Sequence, residues 1–301
     1  LIAVIIITSI KLSSKEDTNN DLTTIRLAEV THSVFYAPMY VAIENGYFES
    51  EGIEIDLILT PGADKVSAAV LSDTVDVGFA GTESSIYVYA GGESDYLVTF
   101  AGLTKRDGQF ILARDCSSEF ELSDLYGKEI LVGRAGGMPA VNFLNAMKNA
   151  GMDVNKINVN YSIDFASLSG SFIGGVGDYV NLFEPTATTV VNVSDACIVD
   201  SIGRLSGEVP YTAFYARKSY LEENEELLLG FTRAIAKGLE FVLNNDSKTT
   251  ASVILPEFPD SALNDIITII DNYKEYDSWL TTPYISCLLY TSPSPRDPKT
   301  S

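Results

Sequence analysis

The chain has 301 residues, with 41 acidic against 20 basic side chains and a formal charge of -21. That length, with 46% apolar residues, suits a buried core divided between two lobes, and the negative field argues against nucleic acid or an anionic lipid surface as a partner. A single histidine, His32, excludes most histidine metal sites and most catalytic triads, so neither a metal nor a cofactor is expected.

Leu1 to Ile10 reads LIAVIIITSI. It is apolar, too short to cross a bilayer and without a basic flank, and it reads as the remnant of a signal-peptide apolar region. Lys11 to Thr24 is polar and suits a flexible tether. In bacterial lipoproteins such a tether begins with a lipid-bearing Cys. Leu12 stands in that place here, before Ser13, Ser14 and Lys15. Export to the periplasm or cell surface is expected, with lipid anchoring left open.

IRLAEV (Ile25 to Val30) is a strand candidate, and the loop after it leads to Pro38, at the first position of a helix, where a missing N–H costs nothing. That helix stops near Gly46 and IEIDLIL alternates as a strand. A helix containing Val66, Ala69, Val70 and Leu71 follows, then the strand VDVGFAG from Val75 to Gly81. The same order recurs further along. EILVGR (Glu129 to Arg134) is a strand, and Pro139 opens a helix with Ala140, Phe143, Leu144 and Met147 on one face, ended by Gly151. INVNYS (Ile157 to Ser162), a short helix from Phe165 to Ile173, and a strand from Asp178 to Phe183 complete the echo. Asp76 and Asp178 stand in register between the copies, which argues for two similarly built α/β lobes.

In open α/β sheets ligands sit outside the carboxyl ends of the strands, where helix N-termini offer free N–H groups. The loops that count are therefore 32–37, 60–64 and 81–85 from one lobe and 134–138 and 183–186 from the other. They place His32, Phe35, Tyr36, Gly62, Thr82, Glu83 and Ser84 opposite Arg134, Gly136, Gly137, Met138, Phe183 and Glu184 around one cleft.

YAPMYVAIENGYFESEGIEIDL, GADKVSAAVLSDTVDVGFAG and VGDYVNLFEPTATTV, taken together, resemble the solute-binding proteins of ABC importers, in the branch serving thiamine-pyrimidine precursors, alkanesulfonates, taurine and nitrate. The resemblance covers roughly Ile25 to Ser286. It implies a two-lobe α/β fold of the periplasmic-binding-protein (type II) kind that closes on a small-molecule solute and delivers it to an ABC-transporter permease in the membrane. A monomer without enzymatic activity is expected. On that architecture QFILARD (Gln109 to Asp115) and PYTAFYARK (Pro210 to Lys218) look like strands at two crossings between lobes. Residues 112–211 then form a second lobe inserted into a first made of 25–111 and 212–286. A helix from Glu222 to Asn244 and another carrying Leu263, Ile266, Ile267 and Ile270 would pack back on the first lobe. Cys116 and Cys197, far apart and without CxxC spacing, indicate neither a zinc site nor a disulfide scaffold and read as buried small apolar residues.

The candidate site residues divide by chemistry. Tyr36, just ahead of the Pro-led helix, can stack on a flat ligand, whereas Phe35 leans towards the core. Glu83 and Glu184 can converge on an amino heterocycle or cation, although Glu184 before Pro185 can equally cap a helix. Arg134, with Gly136, Gly137 and the helix starting at Pro139, can cradle an oxyanion, to which Lys105 and Arg106 can add. No GxSxG, HExxH or Cys/His set accompanies His32, which is left either as a ligand contact or as an exposed loop residue. Related eukaryotic enzymes make thiamine pyrimidine on this fold with histidine as a consumed reactant. Related pyrimidine-binding sequences have a His-Ala pair where this chain has Tyr36-Ala37, so the enzyme reading loses its key residue. A sensory ligand-binding domain is the third class. The aromatic and carboxylate content leans mildly towards a pyrimidine. Finally, CLLYTSPSPRD (Cys287 to Asp297) back-translates codon by codon into a string resembling a transposase adapter used in sequencing libraries. Residues 287–301 are therefore expected to be adapter-derived, and the natural chain to be longer.

Overall fold

The computed structural model describes residues 22–285. The expected signal-peptide remnant, most of the tether and the adapter-like tail lie outside them. Thr23 and Thr24, read as the end of the tether, instead open the first strand, because they pair with Ile53 and Glu54.

The chain begins with β1 (Thr23–Glu29), α1 (Ala37–Glu44), β2 (Ile53–Leu59), α2 (Ala63–Leu71), β3 (Val77–Gly81), α3 (Glu83–Ala90) and β4 (Leu97–Gly102). It then crosses to β5 (Gln109–Ala113), β6 (Glu129–Leu131), α4 (Met138–Asn149), β7 (Asn158–Asn160), α5 (Leu168–Ile173), β8 (Tyr179–Phe183), α6 (Thr186–Val193), β9 (Cys197–Ser201) and α7 (Ile202–Ser206). It returns through β10 (Thr212–Arg217) to α8 (Lys218–Glu223), α9 (Glu225–Asn244), α10 (Ser247–Ile254) and α11 (Leu263–Glu275).

Two five-stranded sheets result, ordered β2-β1-β3-β10-β4 and β7-β6-β8-β5-β9. The orders match element for element. In each sheet three parallel strands are joined by one antiparallel strand that has crossed from the other half of the chain. β3 and β8 are buried at every position, as central strands covered on both faces must be. The crossing comes slightly earlier than the sequence suggests. Gln109 already pairs with Phe183, so residues 109–111 belong to the second sheet.

The aspartates that stand in register in the sequence do the same job twice. Asp76 Oδ2 accepts the N–H of Arg26 at 2.8 Å, and Asp178 Oδ2 accepts that of Glu129, also at 2.8 Å. Each carboxylate thus ties the start of a central strand to its parallel neighbour, which sets register where a one-residue slip would turn the buried face outward.

The predicted helix from Glu222 divides at Asn224 into α8 and α9. α9 buries Leu228, Phe231, Ala234, Ile235, Leu239 and Val242 on one face and lies against α1. Gly238 permits the close approach, since a Cβ there would stand 2.0 Å from the Pro38 carbonyl oxygen. Beyond α11, Trp279 is buried and donates from Nε1 to the Phe35 carbonyl at 2.7 Å, tying the end of the described chain to the loop after β1.

One sequence expectation is overturned outright. Cys116 and Cys197 are not separate buried residues but a disulfide, with Cα atoms 6.1 Å apart. Cys116 is exposed and Cys197 half-buried. Spacing along the chain could not reveal the pairing. Cys197 sits beside Ala113 in the β5–β9 ladder, and that register delivers its sulfur to the turn holding Cys116.

Candidate ligand-binding cleft

Where the carboxyl ends of the parallel strands of both sheets face one another, a cavity of about 170 Å³ opens between them. Its walls come from the turns after β1, β2 and β3 on one side and after β6, β7 and β8 on the other, with Tyr211 and Thr212 of the returning crossing at its side. Four contacts close the cleft across these walls. Glu83 Oε1 accepts the Met138 N–H at 2.9 Å, and the Tyr87 hydroxyl donates to the Gly136 carbonyl at 2.9 Å. Arg134 Nε lies 3.1 Å from Asp64 Oδ1, and the Ser33 hydroxyl donates to the Glu184 carbonyl.

Of the sequence-predicted site residues, Tyr36, Gly62 and Glu83 from the first lobe and Arg134, Gly137, Met138 and Phe183 from the second line this cavity. Six others do not. His32 is turned away and held at both nitrogens, with Nδ1 2.8 Å from Glu29 Oε1 and Nε2 2.8 Å from the Glu257 carbonyl, while Phe258 packs on its ring. It lies outside the cavity wall and is half-buried rather than an exposed loop residue. Phe35 is wholly buried, lodged where a Cβ of Gly108 would otherwise stand. Thr82 donates its hydroxyl to the Pro210 carbonyl at 2.6 Å, and Ser84 is buried beside Tyr215. Gly136 lies outside the wall, accepting from Tyr87. Glu184 caps α6, accepting from the Thr188 N–H at 2.8 Å and from its hydroxyl at 2.9 Å. Lys105 and Arg106 pair instead with Asp277 and Glu208.

Among the wall residues that escaped the sequence reading are two aromatics, Phe165 and Tyr211, and the charged Lys65 and Asp164. Phe165 packs edge-on against Phe183 at 5.9 Å. The internal echo carried the signal for it, because residues 161–165 follow β7 as residues 60–64 follow β2. Tyr211 lay within a stretch read only as a crossing strand.

The wall's charges are unevenly engaged. Arg134, the candidate oxyanion ligand, is ion-paired with Asp64 across the mouth of the cleft, where both groups are well exposed and the pair adds little stability. Glu83 is 8% exposed, and burial pushes its carboxyl above the ordinary range in spite of the Met138 N–H that favours the ionised form.

With this geometry in view, residues 34–249 match the family model described as NMT1/THI5 like. The chain belongs to the NMT1/THI5-like family. A Bacillus subtilis (strain 168) relative named as a binding protein, YtlA, is 41% identical over 266 residues, spanning 88% of this chain and 80% of the relative. The formylaminopyrimidine-binding protein of Halalkalibacterium halodurans is 24% identical over 276 residues, spanning 89% and 77%. Among solved structures, the alkanesulfonate-binding protein SsuA of Xanthomonas axonopodis pv. citri superposes with a TM-score of 0.71 at 14% identity, over 89% of each chain. The fold of this NMT1/THI5-like protein is therefore that of periplasmic solute-binding proteins.

In this family member the crossing between sheets holds a wholly buried carboxyl. Asp107 accepts the Gln109 N–H at 2.8 Å and the Asn142 amide at 2.9 Å, and the Tyr211 hydroxyl lies beside it without regular hydrogen-bond geometry. Burial pushes this carboxyl from 3.8 up to about 7, against the pull of those donors. The folded state therefore holds the proton more tightly than the unfolded chain. The stability so gained is full at acid pH and is lost as pH rises from about 4 to about 7, by about 4 kcal/mol. Asp107→Asn should flatten that stretch of the stability profile, measured as urea midpoints across the range. A variant profile that runs parallel to the parent's would assign the titration to another group.

Proposed function

We propose that the protein is an extracytoplasmic receptor that captures a small solute between its two lobes and hands it unchanged to the membrane permease of an ABC importer. In this reading one lobe is built on each sheet, and a thiamine-pyrimidine precursor is the favoured solute. The observation that carries it is the cavity itself, closed by both lobes at the carboxyl ends of their strands, with the aromatic Tyr36, Phe165 and Phe183 and the carboxyl-bearing Glu83 in its wall. A flat heterocycle fits between aromatic faces, and its amino group needs an acceptor. The formylaminopyrimidine-binding relative is named for such a molecule. An enzymatic reading lacks support, because His32 is held between Glu29 and the Glu257 carbonyl outside the cavity. The Cys116–Cys197 bridge suits an oxidising compartment, which supports export.

A ligand that binds only the folded state raises stability by about 2.7 kcal/mol at a hundredfold excess over its dissociation constant. Among thiamine pyrimidines, taurine, alkanesulfonates and nitrate, a pyrimidine is expected to raise the melting temperature, with the solute recovered intact by mass spectrometry. Conversion of the bound pyrimidine at catalytic rates would overturn the receptor reading.

A further inference from the structure

Glu83 begins α3 in the first lobe, but its carboxylate reaches the second. Oε1 accepts the N–H of Met138, the first residue of the twelve-residue α4. Oε2 has no hydrogen-bond partner and lies over Gly81, where a Cβ would stand 2.0 Å from it. Both Glu83 and Gly81 belong to the cavity wall. A glutamate that is more than nine-tenths buried thus ends in an acceptor with nothing donated to it, an arrangement that costs free energy until a donor arrives.

The place it occupies matters as much. The N-terminus of a helix offers free N–H groups and partial positive charge, and it is where a sulfonate or nitrate would be held by default. At α4 the protein's own carboxylate already takes that position. Arg134 is paired with Asp64, and although Lys65 also lines the cavity, so do Asp64 and Asp164. An oxyanion entering here would meet a carboxyl oxygen, already accepting the Met138 N–H, where it needs a donor.

We propose that Glu83 determines the specificity of the cleft, accepting an N–H edge of the solute through Oε2 and barring oxyanions from the α4 N-terminus. This rests on the receptor reading above and names its solute class: neutral or cationic N–H donors, such as amino-pyrimidines. Gly81 is the positioning residue, because only the missing Cβ leaves room for the folded-back carboxylate.

The test is calorimetric titration of the parent protein, Glu83→Gln, Glu83→Ala and Gly81→Ala with 4-amino-5-hydroxymethyl-2-methylpyrimidine, ethanesulfonate and nitrate. The parent should bind the pyrimidine and neither anion. All three variants should weaken pyrimidine binding by about tenfold or more, through loss or displacement of the charged acceptor. Glu83→Ala, which frees the α4 N-terminus, should gain measurable affinity for ethanesulfonate. Melting curves of the unliganded variants establish that each is folded. Oxyanion binding by the parent, or folded variants with unchanged pyrimidine affinity, would overturn the role of Glu83 and leave the receptor reading standing. Absence of binding by any probe to the parent would overturn both.

Discussion

Replacing Cys116 and Cys197 together by Ser should cost about 4 kcal/mol of stability. The bridge joins residues 81 apart in sequence, a span that contains β6, β7 and β8, the three parallel strands of the second sheet. Cross-linking the ends of so long a loop removes a large part of the freedom of the unfolded chain, which in the chain-entropy picture amounts to about 4 kcal/mol. The folded state changes little, because the β5–β9 ladder already holds Ala113 beside Cys197 and brings the two sulfurs together without further ordering. Urea denaturation of the oxidised parent and the double variant reads the difference as a lower midpoint for the variant. Since the cost arises in the unfolded chain, solute affinity measured far below the midpoint should be unaffected. Equal midpoints, or a parent insensitive to reducing agent, would mean that the bridge contributes nothing.

Trp279→Ala should be as damaging for a different reason. The indole is 1% exposed and packs against Tyr273. Truncating a buried aromatic to Ala costs about 3 to 5 kcal/mol in lost burial and residual cavity. The Phe35 carbonyl also loses the donor that reaches it at 2.7 Å, and a buried acceptor left unpaired adds about 1 to 3 kcal/mol. Because Phe35 immediately precedes Tyr36, which lines the cavity, the variant should also bind its solute more weakly. Trp279→Phe, which keeps most of the packing and loses only the donor, should recover the larger part of the stability. The comparison is made by thermal and urea unfolding of the three proteins. A Trp279→Ala variant within about 1 kcal/mol of the parent would show that the segment after α11 docks too loosely to brace the loop.

The sequence by itself determined most of the architecture. Alternating and amphipathic runs, together with Pro38, Pro139 and terminal glycines, located the three parallel strands of each sheet and the helices between them, but not the edge strands β4 and β9 or the helices α3, α6, α7 and α10. The repeated Asp76 and Asp178 signalled two similarly built halves, because local preferences repeat wherever the same strand junction must be made. The strand-end rule likewise brought Tyr36, Glu83, Arg134 and Phe183 to one cleft, since the carboxyl end of a parallel strand is set by chain direction alone. What each side chain does there was decided only by the tertiary structure. Glu184 and Glu83 look equivalent in sequence, each just beyond a central strand. Yet Glu184 turns back to cap its own α6, whereas Glu83 crosses to the α4 of the other lobe. His32 has its partners in Glu29, three residues away, and in Glu257, far along the chain, and the second lies beyond any local pattern. The same holds for Cys116 and Cys197, which meet through strand register. Periodicity and spacing record the preferences of neighbours along the chain. A hydrogen-bond partner or a cavity wall depends on which distant segments arrive beside a group, and that is a property of the folded chain as a whole.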